Sequence, residues 1–437
     1  MRDEYRQRRE QFMAKIGHGT AVFPSAVVSV MHRDVDYNFR QESDLYYLTG
    51  LNEPEAVAVL APHHDEHRFV LFVRPNDPER ETWSGRRIGV EKAKEFFEAD
   101  EVYPIHELDE KLPQYLEKAD RIYYHFGRDR TFNDTLLKHW QRLMATYPKR
   151  GMGPIAVEDP GPILHAMRQI KSPTELEMMR KAAAISVEAH LRAMEFARPG
   201  RYEYEVQAEI EHIFRLRGGM GFAYPTIVAS GDNACILHYT ENHHQLHDGD
   251  LLLIDAGCAC DYYNADITRT FPVNGKFTAE QQAIYEIVLE AQRQAIAQAQ
   301  PSTPYSQIHE TAVKVIVDGL LDLGLLQGDA DEIIKEEKYK PFYMHRTGHW
   351  LGLDVHDVGV YQHGETAHLL EQNQVFTVEP GIYISPTIQP AEGQPEVDAR
   401  WRGIGIRIED DVVITADGHD ILTAGVPKDI ADLERHA

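Results

Sequence analysis

The chain has 437 residues and 45 Lys plus Arg against 70 Asp plus Glu, a formal net charge of −25. Such a field repels polyanions and argues against a nucleic-acid partner. Three cysteines (Cys235, Cys258, Cys260) are too few for a disulfide framework and suit a reducing, cytoplasmic setting, with the cysteines read as small buried side chains. The N-terminal MRDEYRQRREQFMAKIG lacks the apolar core of a secretory signal, and no apolar run reaches the ~18 residues that span a bilayer, so no membrane partner is expected.

Length suggests two or three domains. In residues 1–170, AVAVLAP (56–62), RFVLFV (68–73) and RIYY (121–124) read as strands. GVEKAKEFFEA (89–99) and TFNDTLLKHWQRLM (131–144) read as helices. Alternation of the two argues for an α/β domain. His63, His64 and His67 sit in a polar loop between two strands and read as surface residues. A Gly- and Pro-rich stretch, KRGMGPIAVEDPGPI, marks a junction, and the boundary is placed at 170/171.

Ser172-Pro173-Thr174-Glu175 then opens a helix with an N-cap, a proline at the first helical position and a capping-box glutamate. Its helical period runs to the Arg198-Pro199-Gly200 stop. Further helices are expected over about 204–217, 279–299 and 305–324. Strands are expected at 251–258, 265–273, 375–380 and 404–415. Residues 171–437 therefore read as an α+β domain with a largely antiparallel sheet. No nucleophile elbow, zinc-helix or phosphate-loop motif is present.

The chemistry lies in four separated segments. Asp255 follows four apolar residues on a buried strand, and a turn would bring Asp266 beside it. Two carboxylates that close repel unless a cation lies between them, although two capping aspartates would show the same spacing. HRTGHWLGLDVHDVG (345–359) holds His345, His349 and His356 on loop-like backbone, and imidazole is a common ligand of divalent metals. Any one of these histidines alone reads better as a core or surface residue, and it is three within twelve residues that weakens that reading. Glu379 ends the buried run VFTV before a Pro-Gly turn. In GIGIRIEDD, period two puts Arg407 and Glu409 on one strand face, with Asp410 out of pattern at an edge; a plain surface Arg–Glu ladder has the same pattern. Together the set suits two hard or borderline dications. Ions held ~3.5–4 Å apart can share a bridging hydroxide, a nucleophile near neutral pH.

These stretches resemble a known family. FRQESDLYYLTG (39–50), IKSPTELEMMRKA (170–182), HYTEN (238–242), LLLIDAGC and YNADITRTFPVNGKFT (251–278), HRTGHWLGLDVHDVG, VFTVEPGIYI (375–384) and WRGIGIRIEDDVVIT (401–415) are similar to aminopeptidase P. This is the Xaa-Pro aminopeptidase branch of the pita-bread metallopeptidases, whose relatives include prolidase and creatinase. The resemblance implies an α+β fold: a C-terminal pita-bread catalytic domain and a smaller creatinase-type α/β N-terminal domain.

It implies two divalent ions per subunit, manganese first, with cobalt, iron or zinc as alternatives. Asp255 would bind one ion, Asp266 and Glu409 both, and His349 and Glu379 the second. His238 and His356 would meet the substrate carbonyl and the tetrahedral intermediate, and Glu379 would move the proton. His345, Tyr361 and Tyr383 would line the substrate site, and Arg407 would hold ligands in place. Trp83 would approach a neighbouring subunit's active site in a homotetramer or homodimer. One departure is TIQPAEGQPEVDARW (387–401), a longer segment read as an exposed loop. The implied activity is release of the N-terminal residue from peptides with proline second. Prolidase, which takes Xaa-Pro dipeptides, and a metal-free pita-bread binding module are the rivals.

Overall fold

The computed structural model describes residues 2–436. The chain divides into two compact units, one through Met167 and one from Arg168.

In the first unit a six-stranded mixed sheet has the spatial order Glu101–Pro104, Phe69–Val73, Val57–Leu60, Thr20–Pro24, Arg121–Tyr123, Ala156–Glu158. Its inner strands Val57–Leu60 and Phe69–Val73 are buried at every position, which explains their unbroken apolar runs. Helices Leu108–Leu116 and Arg130–Arg150 supply Leu112, Tyr115, Leu116, Phe132 and Leu136 to the core that contains Val22, Val59 and Phe72. His63, His64 and His67 are half-buried rather than on the surface. The His64 and His67 rings stack 5.4 Å apart, and His64 packs on Tyr115.

The second unit packs helices around antiparallel strands. The capping box at Ser172 and Glu175 forms as the sequence predicts, and helix Pro173–Phe196 follows it. Glu203–Leu216, Ala279–Ala297 and Ser306–Asp322 are the other long helices. Strands Ile227–Ser230, Leu251–Asp255 and Thr268–Pro272 form one sheet, with Asp255 opposite both Ile227 and Thr268. Val375–Val378, Asp410–Ile414 and His419–Ile421 form another, and Gly381–Ile384 pairs with Ile404–Arg407.

The expected single strand over 404–415 is two. Ile404–Arg407 faces Gly381–Ile384, whereas Asp410–Ile414 faces Val375–Val378. The break falls at Ile408-Glu409, so the chain changes partner where Glu409 must turn into the site. Asp410 is not at an edge. It is fully buried on the middle strand of its sheet, where Arg269 and Lys428 each approach it to 2.7 Å. The segment 387–401 is largely exposed and pinned by three buried side chains, Ile388, Val397 and Trp401. Cys258 and Cys260 are buried free thiols. No helix among the described residues is long and apolar enough to cross a membrane.

Candidate metal centre and its cavity

Sheet register brings the first two carboxylates together. Asp255 ends strand Leu251–Asp255, and Asp266 lies two residues before Thr268, its partner in that ladder. Between them Gly257 passes so close to the Ala265 carbonyl that a Cβ would sit 1.7 Å from it, so only glycine fits. The Tyr224 hydroxyl lies 2.6 Å from Asp255 Oδ1 and 2.5 Å from Asp266 Oδ1, which fixes the two carboxylates side by side.

Glu409 arrives from the strand break, where its backbone N–H donates to the Thr268 carbonyl and Thr268 Oγ1 donates to its Oε2 at 2.6 Å. Glu379 follows strand Val375–Val378, with Thr377 Oγ1 donating to its Oε1 at 3.1 Å. His349 sits on an irregular segment clamped to the same strand. Gly348 lies against the Thr377 carbonyl, where a Cβ would come within 1.9 Å. His349 Nδ1 is 3.0 Å from the Trp350 carbonyl, so that nitrogen carries the proton and Nε2 faces Asp266 at 3.6 Å and Glu379 at 3.5 Å.

The electrostatics are those of a site short of positive charge. Burial, with Asp255 and Asp266 nearby, pushes the Glu379 carboxyl up to about 7 despite His349 and Arg407. Burial and the neighbouring carboxylates push Glu409 well above the usual range, and burial raises Asp266 as well. Burial alone would lower His349, yet Asp266 and Glu379 hold it up at about 9. Arg407 is the arginine among these groups, and it is committed: Nη2 donates to Asp255 Oδ2 at 2.6 Å, Nη1 to the Tyr383 hydroxyl and Nε to Thr268 Oγ1.

Ligand atoms of Asp266, His349 and Glu409 lie within 4.8 Å of one another. A buried oxygen-rich donor set with one correctly protonated imidazole, and too few cations from the chain, fits a divalent metal.

The centre opens into a cavity of about 1210 Å³. His238 and His356 line its exposed side, and the His356 ring meets His349 edge-on with centroids 4.2 Å apart. His345 is held by two bonds: Nδ1 is 2.7 Å from the Arg346 carbonyl and Nε2 is 2.8 Å from the Tyr383 hydroxyl. Burial and the Arg407 charge push its pKa down to about 4, so it is neutral at physiological pH. The Tyr361 hydroxyl accepts from the Trp350 N–H at 3.0 Å and its ring stacks on Trp350, which steadies the residue after His349.

Residues 177–416 match the metallopeptidase family M24, and residues 5–123 match the aminopeptidase P N-terminal domain. The chain belongs to the M24 metallopeptidases, in their aminopeptidase P branch. Within that family, the Xaa-Pro aminopeptidase of Haemophilus influenzae is 43% identical over 434 residues, 99% of this chain and 96% of that protein. The structure of Pseudomonas aeruginosa aminopeptidase PepP is 47% identical with a TM-score of 0.95, covering 100% of this chain and 98% of that one. A zinc-substituted Escherichia coli aminopeptidase P in complex with product is 42% identical with a TM-score of 0.95, covering 100% and 98%. The second unit is the pita-bread fold of the family.

The structure gathers Asp255, Asp266, His349, Glu379, Glu409 and Arg407 with His238, His345, His356 and Tyr361 around one cavity. Tyr383 lies behind it, bonded to His345 and Arg407. Trp83 belongs to the first unit, on helix Pro78–Ser84, and is 87% exposed. Sequence reasoning missed Tyr224, Thr268 and Thr377, each of which holds a carboxylate of the centre. It also missed Asp411, which accepts the Asp266 N–H at 3.1 Å. Asp411 had a signal, since it lies two residues beyond Glu409. Tyr224 had none, because its partners are 31 and 42 residues away.

Proposed function

We propose that the chain is a proline-specific metalloaminopeptidase that releases the N-terminal residue from peptides with proline in second position. The observation that carries this reading is the buried, cation-poor cluster of four carboxylates and one imidazole facing the cavity, in a chain similar over its whole length to Xaa-Pro aminopeptidases.

Asp255, Asp266, His349, Glu379 and Glu409 would hold two divalent ions, manganese first. When bound, such ions supply Lewis-acid polarisation of the scissile carbonyl and acidify the attacking water. Glu379 takes the proton of that water and delivers it to the proline nitrogen as the C–N bond breaks. Glu379 faces the cavity, and Thr377 Oγ1 orients its Oε1, which places the carboxylate for this two-way transfer. His238 and His356 donate to the carbonyl oxygen as negative charge develops there. Arg407, Tyr383 and Tyr361 keep the ligands and His345 in orientation.

Residues 1–170 serve assembly and 171–437 catalysis, with Trp83 contributing to a neighbouring subunit's site in a homotetramer or homodimer. Exposed Val27, Val30, Met31, Tyr37 and Trp83 in the first unit supply apolar surface for such association. Free thiols at all three cysteines suit the cytoplasm.

The deciding experiment reconstitutes the protein with Mn2+ and assays a matched pair, Xaa-Pro-Yaa and Xaa-Pro. Cleavage of the tripeptide is expected. Cleavage of the dipeptide alone would return the assignment to prolidase, and absence of bound metal in folded protein would favour a binding module.

A further inference from the structure

Arg346 holds none of the carboxylates of the centre. It lines the cavity on the segment that carries His345 and His349, its side chain is exposed, and it makes no ion pair or side-chain hydrogen bond among the described residues. In a protein with 70 acidic and 45 basic residues, a guanidinium without a carboxylate partner is notable for its position. The other cationic groups of the cavity are already engaged. Arg407 is spent on Asp255, Tyr383 and Thr268, and His349 on Asp266 and Glu379.

The neighbouring imidazoles offer no substitute. His309 is bonded to Thr347 at 2.8 Å, and His345 is held between the Arg346 carbonyl and the Tyr383 hydroxyl. The field of Arg346 also reaches Tyr305, which with His309 lines this side of the cavity. Of the two arginines in the described lining, Arg346 is therefore the one without a partner, in a cavity that also holds Asp255, Asp266, Glu379 and Glu409.

We propose that Arg346 is a specificity-determining residue that receives a carboxylate of the peptide downstream of the scissile bond. An aminopeptidase substrate carries its ammonium upstream of that bond, where a guanidinium would repel it. Peptide backbone and proline carry no charge. Downstream of the bond the negative groups are the terminal carboxylate of a short peptide and an acidic side chain after the proline, and a guanidinium fork accepts either through paired N–H donors. On a protein of net charge −25 a peptide carboxylate is otherwise repelled, so one unpaired arginine at the site sets whether such a peptide is accepted.

This inference rests on the peptidase reading, and its test separates the two. Metal-loaded wild type and Arg346→Gln are compared on Ala-Pro-Ala and Ala-Pro-Ala-amide, and on Ala-Pro-Asp-amide against Ala-Pro-Asn-amide. In parallel, calorimetry measures binding of Pro-Ala and Pro-Ala-amide to both proteins. Because the arginine is solvent-exposed, the wild-type preference for the charged member is expected to be modest, roughly three- to tenfold in kcat/KM. It should reside mainly in KM and shrink as salt rises past ~0.1 M.

In Arg346→Gln the preference collapses toward unity. Collapse in the first pair identifies the terminal carboxylate, and collapse in the second the side chain. A preference that is absent from wild type, or equal in the two proteins, overturns the proposal. If wild type cleaves none of these peptides, the peptidase reading falls, and the calorimetric comparison still decides whether Arg346 selects for a carboxylate.

Discussion

The second unit buries carboxylates in two ways. Around Asp357 and Asp410 the chain brings its own cations. Asp357 receives Arg168 at 2.6 Å and Lys171 at 2.9 Å, and Asp410 receives Arg269 and Lys428, both at 2.7 Å. Burial alone would raise both acids, but these charges hold Asp357 below its ordinary value and Asp410 down at about 2. Around Asp266, Glu379 and Glu409 the compensation is withheld, and all three carboxyls are pushed up. The same unit can neutralise a buried acid with arginine and lysine, so their scarcity at the centre is a feature of that site. The first kind of burial holds the fold; the second fits a divalent metal.

The largest effect is expected at Glu379. Glu379→Ala should cut kcat on an Xaa-Pro-Yaa peptide by about 10²–10⁴-fold in metal-loaded protein, with the thermal transition still cooperative. Full turnover in this variant would sink the proton-transfer role.

Stability should respond with opposite signs in the two regions. Asp357→Ala leaves Arg168 and Lys171 buried without the carboxylate they share, and should cost about 3–5 kcal/mol in denaturant unfolding. Asp266→Asn instead removes one of several repelling carboxylates. Chelator-treated Asp266→Asn should be as stable as wild type or more so, while its metal affinity measured by titration falls at least about tenfold. Equal destabilisation by the two substitutions would mean that the centre is an ordinary structural ion cluster.

The two regions also differ in how far the sequence disclosed them. Asp255, Glu379 and Glu409 were legible because each interrupts an apolar run, and a buried acid needs a reason. The capping box at Ser172 was legible because its residues are local. Asp410 was misread as an edge residue because its partners, Arg269 and Lys428, are distant in sequence and invisible to periodicity. The single strand expected over 404–415 failed for a related reason. Alternation persists across Ile408-Glu409, and a change of pairing partner leaves no mark on a period-two pattern. Tyr224, Thr268 and Thr377 escaped because a hydroxyl that orients a carboxylate has no spacing rule. The α/β character of the first unit was legible in its buried strands, whereas the packing of His64 and His67 against Tyr115 depends on a residue about fifty positions away.

The finest discrimination comes from pH. Asp357 and Asp410 are protonated in the unfolded chain below about 3.9 and stay charged to lower pH when folded. Their contribution is therefore complete above about pH 4 and lost as the pH falls below it, toward 2 for Asp410. The centre works the other way in metal-free protein. Glu379, up at about 7, takes up its proton in the native state where the unfolded chain, with a carboxyl near ~4.3, does not. Its contribution is fully present below that unfolded value and lost as pH rises through 7. His349, held at about 9, adds a loss of the same sign between ~6.5 and 9. Chelator-treated protein should therefore gain stability from pH 7 to pH 5, before the paired region fails in stronger acid. Saturation with Mn2+ holds the carboxylates deprotonated and should flatten or reverse that gain. Denaturant midpoints at pH 5 and pH 7, with and without the ion, give the four values needed. A metal-free protein that weakens steadily from pH 7 to pH 5 would show that the charges at the centre are already balanced by the chain.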